Sequence, residues 1–252
     1  MTGEGVNAKH RLSNKPIPPN ERLIFALDVP GADEAWRLVE ELGDAVTFYK
    51  LGLELFMAGG YFDLVKKLRE RSKKVFVDLK FFDVPETVGS AVRQLRKHGV
   101  AFATVHGNDA MLQAAVAAAR TEESGLMILA VTVLTSLDQN DLEDLGFQCD
   151  PKTLVLSRAK RALRLGCHGV VSSGLEAPSL RADLGNQLLI VTPGIRPVEN
   201  RQVDDQKRTV DVEEAFRNGA DYIVVGRPIR NVPDPRAAAQ AIQARIAALF
   251  ER

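Results

Sequence analysis

The densest chemistry in the sequence is the run Asp78-Leu79-Lys80-Phe81-Phe82-Asp83, a lysine two residues after one aspartate and three before another. With a side-chain period of two, Asp78 and Lys80 share one face of an extended strand, and Asp83 stands just beyond. Alternating signs at close range stabilise each charge without water. A lysine held charged between carboxylates is a ready proton donor, and a carboxylate beside it repels a bound anionic group. Two more charges, Asp28 and Lys50, end apolar runs further upstream. One such charge merely meets solvent at a strand end. Three adjacent strands charged at the same end read as a site, because isolated buried charge is costly and is usually paired and functional.

Two other stretches suit a phosphate. Thr192-Pro193-Gly194-Ile195-Arg196 and Val225-Gly226-Arg227-Pro228 each follow an apolar run with a glycine and an arginine. Glycine lets backbone N–H groups approach an anion, and the guanidinium fork matches phosphate oxygens. Either turn alone is commonplace; the pair favours phosphate.

Something must hold these groups together. After Asn20 the chain alternates short apolar runs (23–29, 46–51, 74–80, 101–106, 126–134, 169–172, 188–192 and 221–226) with helical patterns. Ala35, Leu38, Val39 and Leu42 share a helical face, as do Val88, Ala91, Val92 and Leu95, and later Ala238, Ala241, Ile242, Ile246 and Leu249. Gly43, Gly99, Gly166 and Gly219 stand where helices should stop. Eight strand-helix pairs predict an α/β fold, a single (β/α)8 barrel over residues 21–252 behind a polar N-terminal tail of residues 1–20. An open doubly wound sheet is the alternative, but Leu27-Asp28-Val29-Pro30-Gly31 is not its glycine-rich turn. In such a barrel the βα loops converge at the strands' C-terminal ends, and the loops after strands seven and eight form the usual phosphate cradle.

Composition narrows the class. Lys plus Arg and Asp plus Glu number 33 each, so no general attraction to nucleic acid or anionic membrane is expected. No apolar run approaches the ~20 residues of a membrane span, and residues 1–20, with Pro16, Pro18 and Pro19, do not read as a secretory signal. Cys149 and Cys167 lack metal-ligand spacing and read as free thiols in a reducing cytoplasm. His106 reads as a packed structural histidine.

The run from Asp78 to Thr87 resembles the signature of the orotidine 5'-phosphate decarboxylases. Ala26-Leu27-Asp28, Tyr49-Lys50-Leu51-Gly52, the stretch from Val131 to Ser136, Thr192 to Arg196, Asp205-Gln206 and Val225 to Pro228 match in the same order. The resemblance runs from about Leu23 to the C-terminus. It departs at Phe82, where bacterial members commonly carry His, and at Glu86, where they carry Asn.

The resemblance implies decarboxylation of orotidine 5'-monophosphate to UMP without metal or other cofactor. Asp28 and Lys50 would bind the ribose hydroxyls, Asp78 would press on the substrate carboxylate, and Lys80 would protonate the ring carbon. Asp83 and Thr87 would come from the second subunit of a homodimer. Thr135 and Ser136 would hold the pyrimidine; Arg196, Gln206, Gly226 and Arg227 would hold the phosphate. The polar stretch from Arg196 to Gln206 looks like a lid. Two rivals stand beside this reading. One is a Mg2+-dependent sugar-phosphate decarboxylase or aldolase of the same superfamily, which typically carries an acidic ligand where Lys50 stands. The other is a non-catalytic phosphate-binding barrel, which would have no use for Asp78, Lys80 and Asp83 together.

Overall fold

The computed structural model describes residues 12–121, 125–196 and 209–251. Each expected run supplies one strand: β1 (Leu23–Ala26), β2 (Phe48–Leu51), β3 (Lys74–Phe81), β4 (Phe102–Val105), β5 (Met127–Val131), β6 (Gly169–Val171), β7 (Leu189–Thr192) and β8 (Tyr222–Val225). Neighbours pair in parallel in sequence order, and β8 closes on β1. Ile24, Phe48, Phe76, Phe102, Leu129, Val191, Tyr222 and Val224 fill the interior. The Phe102 ring centroid lies 5.0 Å from that of Phe48 and 5.2 Å from that of Tyr222. Phe25, Tyr49, Val75, Val77, Ile128, Ile190 and Ile223 belong to a second buried layer between strands and helices. With both faces dry over most of their length, the strands are mainly apolar, and for that reason they stand out in the sequence.

The helix Ala32–Leu42 buries Ala35, Leu38, Val39 and Leu42, and the helix Pro85–Arg96 buries Val88, Val92 and Leu95, the expected faces. Gly166 and Gly219 take φ of 81° and 106°, the left-handed backbone that ends a helix at little cost to glycine. The final helix Pro235–Phe250 turns the expected Ile242, Ile246 and Leu249 inward but not every expected alanine. It buries Pro235, Ala239, Ile242 and Ile246 and leaves Ala241 exposed. Alanines present too little apolar area to fix a helix's rotation, so the isoleucines decide it.

Two strands stop early. β1 ends at Ala26, which puts Asp28 on the following loop; the Leu27 N–H still donates to the Lys50 carbonyl at 2.9 Å, but Pro30 has no N–H with which to continue. β5 ends at Val131, so Thr135 and Ser136 also lie on a loop. At the other end of the barrel, residues 12–20 of the expected tail pack against it. Ile17 packs against the barrel interior, the Ser13 hydroxyl donates to Asp221, and Lys15 Nζ lies 3.1 Å from Asp221 Oδ2. Asp221 is fully buried and also accepts from Arg181 at 2.7 Å and from the Ile190 N–H at 2.8 Å.

Candidate active site

A cavity of about 670 Å³ opens at the C-terminal ends of the strands. Its floor includes Ala26, Phe76 and Val224, and its wall carries charge. Asp28 from the loop after β1, Lys50 from β2, and Asp78 and Lys80 from β3 form a chain of alternating sign. Lys50 Nζ lies 2.9 Å from Asp28 Oδ1 and 3.5 Å from Asp78 Oδ2, and Lys80 Nζ lies 3.1 Å from the same Asp78 oxygen. Burial works against the Lys50 ammonium, but Asp78 and Asp28 outweigh it and hold its pKa above the ordinary lysine value. Burial likewise works against the Asp78 carboxylate, yet Lys50, Lys80 and a hydroxyl from Thr104 hold it below the usual carboxylate range. The side chain of Lys80 is 32% exposed, against 11% for Lys50, so the end of the chain faces the cavity.

The local backbone that delivers Lys80 is irregular. Val77 pairs with Ala103 and Phe81 pairs with Val105, so β3 passes three residues where β4 passes one. Lys80 sits in this bulge at φ 48°, a left-handed conformation that costs a non-glycine residue about 1–3 kcal/mol. The shared face expected of Asp78 and Lys80 is thus achieved by a bulge and not by a regular pleat. Gly52, after β2, fits the same crowding. A Cβ there would lie 3.2 Å from Asp28 Oδ1 and 3.3 Å from Lys50 Nζ.

Thr135, Ser136, Arg196, Gly226 and Arg227 line the same cavity, with Pro193 and Gly194 beside the arginines. Asp83 and Thr87 do not. Both are exposed on this chain, and the Asp83 carboxylate accepts from the Val84 N–H at 2.6 Å. Asp205, Gln206 and all but the first residue of the stretch expected as a lid, Arg196 to Gln206, lie outside the described residues. The cavity also takes in Glu54 and Arg230, which sequence reasoning passed over. Arg230 stands three residues after Arg227, one helical turn along, and that spacing was available as a signal. His106 packs its ring against Phe82 at 5.7 Å, and burial, then Arg158 and Lys80, push its pKa down. Among the described residues no group of three or more His, Cys, Asp or Glu could hold a metal ion.

The sequence model of the orotidine 5'-phosphate decarboxylase / HUMPS family matches residues 21–242. The chain belongs to that family. It is 68% identical to the orotidine 5'-phosphate decarboxylase of Methylococcus capsulatus, across 95% of this chain and 97% of the relative. It is 51% identical to that of Xanthomonas euvesicatoria, across 94% and 97%. Among solved structures, the crystal structure of orotidine 5'-phosphate decarboxylase from Lactobacillus acidophilus superposes with a TM-score of 0.79 at 35% identity, covering 90% of this chain and 99% of that one. Within this decarboxylase family the charged chain from Asp28 to Lys80 lies in the matched region. The two departures lie on the surface: Phe82 is 66% exposed, and exposed Glu86 accepts from Arg93 at 2.8 Å.

Proposed function

We propose that this protein decarboxylates orotidine 5'-monophosphate to UMP and CO2, the last step of de novo pyrimidine biosynthesis. The observation that carries the proposal is the Lys80 ammonium 3.1 Å from Asp78, at the cavity-facing end of a chain of alternating charges. When the carbon–carbon bond to CO2 breaks, its electron pair stays in an sp2 orbital of the ring carbon, outside the π system. No neighbouring π bond can delocalise it, so the site has to favour that developing charge by fixed electrostatics. Lys80 attracts the charge and then supplies the proton that fills the orbital. Asp78, held ionised by two lysines, disfavours the starting carboxylate. Lys80 carries the larger share, because it acts on the transition state.

The remaining roles belong to the same proposal. Asp28 and Lys50 bind the ribose hydroxyls, and Thr135 and Ser136 hold the pyrimidine. Arg196, Gly226 and Arg227, with Gln206, hold the phosphate. Binding energy gained at the phosphate, far from the reacting carbon, can be used to expel water from the cavity. A cytoplasmic location fits the free thiols Cys149 and Cys167.

Asp83 and Thr87 serve the second subunit of a homodimer. Exposed apolar side chains on that segment are in support: Phe82 and Val84, on either side of Asp83, are 66% and 61% exposed. Mixing inactive Lys80→Ala and Asp83→Asn subunits under exchange tests this. A shared site makes about half the dimers mixed, each with one intact site, and returns roughly a quarter of wild-type activity. No recovery despite proven exchange sinks the shared site.

The function itself is tested by incubating the protein with orotidine 5'-monophosphate and excess EDTA. UMP formation at undiminished rate is expected. Loss of activity on chelation would favour the Mg2+-dependent rival, and no turnover with or without metal would favour the binding protein.

A further inference from the structure

Thr104 carries a hydroxyl that touches both halves of the Asp78–Lys80 pair. It lies in β4, fully buried, directly across from the bulge of β3. Its hydroxyl donates to Asp78 Oδ1 at 2.9 Å and accepts from the Lys80 N–H at 3.0 Å. Each bond has a distinct physical task. The bulge pulls the Lys80 N–H out of the strand ladder, where a buried donor left unpaired is costly. The left-handed backbone at Lys80 persists only if its surroundings over-determine it. The bond to Oδ1 fixes the rotation of the Asp78 carboxylate, so that Oδ2 is the oxygen presented to Lys50 and Lys80.

We infer that Thr104 is a positioning residue for the decarboxylation: its hydroxyl clamps the β3 bulge and thereby aims the Lys80 ammonium and the Asp78 carboxylate at the same point. This rests on the function proposed above, in which Lys80 is the proton donor. Thr104 itself does not line the cavity, and it acts only through its two partners.

Thr104→Val removes the hydroxyl at nearly constant bulk, and Thr104→Ser keeps it. A displacement of about 1 Å at a reacting group can cost ~100-fold in rate. Thr104→Val is therefore expected to lower kcat about a hundredfold with KM within about threefold, and Thr104→Ser to stay within about threefold in both. A Thr104→Val kcat within threefold of wild type overturns the inference. So does a loss confined to KM, or a serine variant as impaired as the valine one. If Thr104→Val does not fold, Thr104→Ala, which also lacks the hydroxyl, takes its place in the comparison. Crystal structures of wild type and the hydroxyl-less variant decide the point independently of turnover. Lys80 is expected to leave its left-handed conformation and its contact with Asp78, and an unchanged bulge overturns the clamp. A wild type that makes no UMP counts against the decarboxylase reading alone, and the crystal comparison still judges Thr104.

Discussion

The barrel carries a charge cluster at each end, and the two are built on opposite plans. At the N-terminal end, Asp221 is a single buried carboxylate that accepts from Ser13, Lys15, Arg181 and the Ile190 N–H. Arg22 closes the same region by donating to the Asp221 carbonyl at 3.2 Å and covering the Phe250 ring at 3.8 Å. At the C-terminal end, two lysines and two aspartates alternate, and the last lysine faces the cavity. The consequence is visible in the lysines. Burial depresses the pKa of Lys15, and Arg181 and Arg22 add to it against the single Asp221. Lys50, flanked by two carboxylates, is raised in spite of its burial. Cations converging on one carboxylate make a closed knot with nothing left to offer. Alternation keeps both signs ionised and leaves one ammonium for a ligand. The first plan serves the fold, and the second serves chemistry.

The sharpest way to break that contrast is to remove one cation from each end. Lys80→Ala is expected to cut kcat at least ten-thousandfold, ~5.4 kcal/mol of barrier, while UMP binding by calorimetry and the melting temperature stay near wild type. Activity within about tenfold, ~1.4 kcal/mol, would remove Lys80 from the proton-donor role. Arg181→Ala should do the reverse. Breaking a buried pair leaves an uncompensated charge, so a loss of about 3 kcal/mol in denaturant unfolding is expected, with activity per folded molecule unchanged. A stability loss under about 1 kcal/mol would mean that Lys15 and Ser13 suffice for Asp221.

A smaller effect sharpens the comparison by pH. The folded-state pKa of Asp78 is depressed, so its ionisation favours folding above the ordinary carboxylate range and that contribution fades as pH falls toward the folded value. Asp78→Asn should therefore melt below wild type at neutral pH, and the gap should narrow as the solution is acidified below about pH 4. A gap constant from pH 7 to pH 3 would show that the carboxylate's charge contributes nothing to folding.

The C-terminal cluster was legible in the sequence and the N-terminal one was not, for a physical reason. Asp28, Lys50, Asp78 and Lys80 interrupt apolar strands, and a charge in a dry strand demands a partner or a purpose. Asp221 stands just before β8 and Arg181 sits in a helix forty residues earlier, both ordinary places for charge, and only the closed barrel brings them together. Thr104 was invisible for another reason. Threonine is β-branched and suits a strand, so nothing in Phe102-Ala103-Thr104-Val105 distinguishes a hydroxyl with two bonds from a filler of the pleat. The eight strands were easy to find because both their faces are buried. Their ends were harder: β1 and β5 stop short of their apolar runs, because residues just past a strand can stay buried without pairing.

Ser13 and Asp221 are 208 positions apart, and Lys15 reaches the same carboxylate across 206. A chain leaves the ribosome amino end first, so the segment that closes the barrel floor is made some 206 positions ahead of the counter-charge it meets. Until β8 emerges, Ile17 has an incomplete barrel to plug and Lys15 has no carboxylate there. Closure of this seam is consequently a late event in biosynthesis, and an unfinished chain exposes apolar floor of the kind that chaperones bind and that aggregates nucleate upon.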